Sequence, residues 1–97
     1  MDIRMTDLLQ VMNILQHALK RFDSINLGDR DYYWDLAPND LYNVDNKPAR
    51  FYLQQLSFDW EGLLRLKKKD ASPVSHDLKL LGAILRAIED SHTIALY

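Results

Sequence analysis

The sequence runs to 97 residues, enough for one domain and too few for two ordinary hydrophobic cores. At 47% hydrophobic and 27% charged it lies outside the disordered class, and a net charge of −2 supports solubility while arguing against nucleic acid as a partner. The absence of cysteine excludes thiolate catalysis, disulfides and Cys-ligated zinc, and in a domain this small it points to a reducing compartment.

The N-terminal residues lack the cationic start and uninterrupted apolar run of a signal peptide. No stretch approaches the roughly 20 apolar residues that cross a bilayer. A cytoplasmic protein with no membrane partner is the expectation. Three Gly and three Pro are few, which favours helices over a many-turned β-sandwich.

Residues 2–22 carry a helical pattern. Met5, Leu8, Met12, Leu15, Leu19 and Phe22 recur at alternating steps of three and four, and Leu9, Val11, Ile14 and Ala18 widen the seam. The apolar arc covers on the order of 200°, well beyond the stripe of an ordinary surface helix. Such a helix either lies between two others or turns one flank to a second chain.

Residues 23–46 break the period. They hold six Asp and one basic residue, Arg30, together with Gly28, Pro38 and the run Asp31-Tyr32-Tyr33-Trp34-Asp35. Gly28 closes the first helix or its trailing turn. Pro38-Asn39-Asp40-Leu41-Tyr42 suits a short helical turn with Pro at its first position. The rest reads as an ordered loop, because a polar linker would not carry so many rings.

Helical spacing returns with Leu53, Leu56, Trp60, Leu63, Leu64 and Leu66. Ser57 is a candidate N-cap, and residues 51–56 fit either helix or an extended lead-in. After Ala71-Ser72-Pro73 a third helix is predicted over 75–90, with Val74, Leu78, Leu81, Leu85 and Ile88 as its seam, Leu80, Ile84 and Ala87 alongside, and Ser75 as cap. The tail, 93–97, is apolar enough to dock. The fold class expected is all-α, a single three-helix bundle-like domain over 1–97 with a long aromatic and acidic loop between helices 1 and 2. The alternative is α+β, with short strands near 31–35, 51–56 or 93–97.

Little here points to catalysis. Ser24, Ser57, Ser72 and Ser75 sit at helix ends, where capping explains them. His17, His76 and His92 include no i, i+4 pair of the kind that holds a metal. The carboxylates Asp29, Asp31, Asp35, Asp40 and Asp45 do not follow the order of a calcium loop. Lys67-Lys68-Lys69 falls at a helix C-terminus, where cations favour the helix dipole. No enzyme, cofactor or metal is expected.

Aromatic clustering is the unusual feature. Eight of the ten aromatic residues lie between Tyr32 and Trp60. Tyr and Trp join apolar area to a polar handle and are enriched at interface hot spots. They serve either as a cap on the bundle or as an acidic, aromatic surface for a basic protein partner, with Tyr32, Tyr33, Trp34, Asp35 and Tyr42 as candidate contacts.

Asp31-Tyr32-Tyr33-Trp34, Leu41-Tyr42, Gln55-Leu56-Ser57-Phe58-Asp59-Trp60 and the Leu81 to Ile88 segment together resemble a group of short bacterial proteins of unassigned function. The resemblance implies a bacterial, intracellular protein with an ordered loop. Small acidic proteins of this type are similar in character to toxin-neutralising immunity proteins. The expected function is a non-enzymatic protein-interaction domain, an immunity-like inhibitor or adaptor. The alternatives are a homodimer assembled through helix 1, and a metal protein or enzyme using His and Asp.

Overall fold

The computed structural model describes residues 1–28, 31–36 and 51–96, without the side chains of 34, 35, 36, 51 and 52. In chain order the elements are helix α1 (Met5–Leu19), strand β1 (Tyr32–Leu36), strand β2 (Phe51–Gln55), helix α2 (Leu56–Leu64) with a 3-10 turn (Arg65–Lys67), and helix α3 (His76–Ser91). The chain is therefore mainly helical with a small antiparallel sheet, which is the α+β alternative and not an all-α bundle.

Two of the three stretches that could be extended are strands. Tyr32 pairs with Gln55, Tyr33 with Gln54, Trp34 with Leu53, Asp35 with Tyr52 and Leu36 with Phe51. Aromatic side chains suit a pleated, half-buried surface, so the ring-rich segments that read as loop and lead-in find their place in a hairpin. Residues 93–96 form no strand. The helical turn expected at 38–42 lies outside the described residues.

α2 follows β2 with no linker, and α3 folds back on α2. Gly62 permits the close approach, since a Cβ there would stand 3.3 Å from Leu80 Cδ1. The packed face of α3 runs through Asp77, Leu80, Leu81, Ile84, Ala87 and Ile88. That face is rotated from the expected seam: Val74, Leu78 and Leu85 are exposed, Leu78 at 75%. α3 carries two adjoining apolar stripes, and spacing alone does not choose between them.

Asp77 joins the two helices. Arg65 Nη2 donates to Asp77 Oδ1 at 2.9 Å and Oδ2 at 2.7 Å, and the Val74 N–H donates to Oδ2 at 2.8 Å. The Asp77 N–H in turn donates to the Val74 carbonyl at 2.9 Å. This reciprocal pair is a capping box, so the cap position is Val74. Ser75, the expected cap, is already helical and makes no side-chain cap bond. Ser57, expected to cap α2, lies inside that helix.

α1 departs furthest from the bundle. None of its residues is buried, and among the described residues it forms no extensive contact with another element. Its C-terminal end is tied to the tail, where Arg21 Nη2 donates to the Ala95 carbonyl at 2.6 Å. Among the described residues the buried apolar side chains are Leu56, 5% exposed, and Ile84, 8% exposed.

α3 ends at His92, whose φ of 55° is left-handed. A side chain there costs roughly 1 kcal/mol that glycine avoids. His92→Gly is expected to raise stability by about 1 kcal/mol, which moves Tm up by about 4–8 °C in a domain of this size. Ile84→Ala is expected to cost about 2–3 kcal/mol. Thermal and urea unfolding followed by circular dichroism checks both.

Candidate functional site

The sequence-predicted contacts sit on and around β1. Strand alternation sends Tyr32 and Tyr33 to opposite faces. Tyr32 is 61% exposed. Tyr33 turns inward, and its hydroxyl donates to Asp59 Oδ2 at 2.5 Å, supplying a buried carboxylate of α2 with a partner. Trp34 and Asp35 take their places in the ladder opposite Leu53 and Tyr52, and their side chains lie outside the described residues, as does Tyr42. Of the expected surface, then, Tyr32 is available to a partner and Tyr33 has an intrachain bond.

Asp31 beside them is a structural hub. Its carboxylate accepts from Gln55 Nε2 at 2.6 Å, from the Ser57 N–H at 2.8 Å and from Ser57 Oγ at 3.2 Å. Its carbonyl accepts from the Leu56 N–H at 2.5 Å. The first turn of a helix leaves N–H groups without intrahelical partners. Here a residue from the opposite strand satisfies two of them, so Asp31 caps α2 from outside it. Carboxylate charge also favours the positive end of the helix dipole. The pairing depends on contacts far apart in sequence, and no local signal announces it.

The arrangement offers little to catalysis. Among the described residues no three His, Asp or Glu side chains are grouped to hold a metal. His17, His76 and His92 are exposed and lie on separate elements, and Lys67, Lys68 and Lys69 are exposed as well. No helix is long and apolar enough to cross a membrane among the described residues.

The largest unsatisfied surface is apolar and belongs to α1. Met5, Leu8, Leu9, Val11, Met12, Ile14 and Leu15 are all exposed, Ile14 at 67%. Soluble monomers rarely present so many large apolar side chains contiguously. Residues 8–16 include no charged side chain, whereas Asp2, Arg4 and Asp7 flank the helix at its start and Lys20, Arg21 and Asp23 at its end. The breadth of the arc is legible in the sequence. The smaller exposed stripe of Val74, Leu78 and Leu85 on α3 is not, because it is read there as core.

The hydrogen bonds to Asp31, Gln55 first and the Ser57 N–H next, hold its carboxyl below the ordinary 3.8. A carboxyl lowered in the folded state stabilises the fold above 3.8, and that contribution is lost as pH falls through 3.8 towards the folded value. Asp31→Asn keeps an acceptor for Ser57 but sets an amide donor against Gln55. The substitution is expected to lower Tm at neutral pH and to flatten the fall in Tm between about pH 5 and pH 3. Melting curves of both proteins across that range check it; parallel profiles would remove Asp31 from the acid response.

No protein-family model matches the chain, and neither a curated protein nor a solved structure is significantly similar to it.

Proposed function

We propose that the chain is a non-enzymatic protein-interaction module that binds its partner through the apolar face of α1. The observation that carries this reading is the continuous exposure of large side chains from Met5 to Leu15 on a helix that packs on no other described element. A face of that kind is the form in which one helix is offered to a groove or to another helix. The burial inside the chain supports the reading from the other side. A small domain that buries Leu56 and Ile84 and leaves most of its helical apolar surface in water gains much of its remaining stabilisation when a second surface covers it.

The reading moves the principal contact from the Tyr32–Tyr42 region to α1. Tyr32, exposed at the base of the hairpin, keeps a place as a secondary contact. Trp34, Asp35 and Tyr42 remain proposed contacts from the sequence.

Leu8→Glu with Leu15→Glu tests the face directly. Both side chains are exposed within the chain, so the doubly substituted protein is expected to unfold within about 0.5 kcal/mol of the original at low concentration, against about 2–3 kcal/mol for Ile84→Ala. Binding is expected to fall at least tenfold. With the full chain as bait in an extract of its native host, the proteins retained, further copies of the chain included, are expected to be lost with this variant. Retention of the same set by the variant would sink the α1 reading.

A further inference from the structure

We infer that the partner covering α1 is a second copy of this chain, with the two α1 helices antiparallel. This rests on the reading of α1 as the binding surface and names its occupant.

The seam fixes the geometry. Met5, Leu8, Met12, Leu15, Leu19 and Phe22 alternate by three and four residues, the spacing that keeps one side of a helix against a partner helix. Lay a second copy antiparallel with Met12 level with the second copy's Leu15. Leu8 then comes level with its Leu19, and Met5 with its Phe22. Two-fold symmetry repeats each pairing, so every seam position meets an apolar one and none is left facing water.

The charges agree with that register. Asp7 comes level with the second copy's Lys20, and Arg4 with its Asp23. A parallel arrangement would instead set Asp7 beside the second copy's Asp7 and Lys20 beside its Lys20, a repulsion at each end. Opposed helix dipoles also favour the antiparallel form. Between the charged ends, the uncharged stretch 8–16 leaves no ionic group to desolvate.

The area is sufficient. The exposed apolar side chains of α1 present roughly 100 Å² each, or about 700 Å² per chain, close to the ~800 Å² per partner of a standard interface. A partner of different chemistry would have to match both the uncharged centre and the charge order at the two ends. The chain already matches both by itself.

The experiment is sedimentation of the full chain between about 1 and 100 μM, with hydroxyl-radical footprinting at the same concentrations. The expected species has twice the 11.4 kDa of one chain. Met5 and Met12 are built-in reporters on the seam, and fully exposed Met1 is the control. In the dimer Met5 and Met12 are protected while Met1 oxidises. Asp7→Lys and Lys20→Glu are each expected to weaken the dimer about tenfold, and Asp7→Lys with Lys20→Glu in one chain is expected to restore it.

A dimer that the paired reversal fails to restore overturns the antiparallel register. A dimer with Met5 and Met12 oxidised overturns assembly through α1. A monomer in which both oxidise like Met1 overturns the second copy and leaves the interaction reading standing. A monomer in which both are protected shows α1 covered by its own chain, and overturns both.

Discussion

Apolar burial is in short supply in this chain, and the rest of the structure answers to that shortage. Ordering each residue costs about 1–2 kcal/mol of conformational entropy, which a domain usually offsets by removing apolar surface from water. Among the described residues Leu56 and Ile84 do so fully, and Leu80, Leu81, Ala87 and Ile88 in part. The α1 seam, the Val74–Leu78–Leu85 stripe and the rings of Phe58 and Trp60 stay exposed. The folded chain holds unused apolar surface, and α1 has most of it.

Polar joints carry an unusual share of the internal organisation. Asp31 fastens the hairpin to the start of α2, Tyr33 reaches a buried carboxylate on the same helix, and Asp77 binds α3 to the end of α2 through Arg65. Each joint satisfies backbone or carboxylate groups that would otherwise be stranded at a helix end. Together they make β1, β2, α2 and α3 one connected unit without a large core. α1 takes no part in these joints apart from the Arg21 bond to Ala95 just beyond its end.

The helices were legible because their periods are strong. α1 begins and ends within three residues of its expected limits, and α3 within one. The breadth of the α1 arc also survived intact, since an arc of about 200° cannot be hidden by one neighbour. The strands were harder to see. Tyr32–Leu36 lacks clean alternation, and its pairing with Phe51–Gln55 is a contact between distant residues. Side-chain caps were misplaced for a related reason: Ser57 and Ser75 have the right chemistry in the right neighbourhood, but Asp31 and Asp77 reach the same N–H groups from outside the local sequence. On α3 the period gave the helix but not its rotation, because two apolar stripes adjoin and only the position of α2 chooses between them.

The isolation of α1 also has a thermodynamic consequence. A helix of 15 residues with no partner is marginal in water, because its nucleation is costly and its own backbone bonds barely offset the loss of freedom. Its ordering and the covering of its seam are then two views of one equilibrium. The fraction of ordered α1 rises with whatever covers it, and an uncovered copy presents a frayed segment to proteases. Lifetime inside a cell would therefore follow occupancy: the assembled form persists, and surplus unassembled chains are removed first.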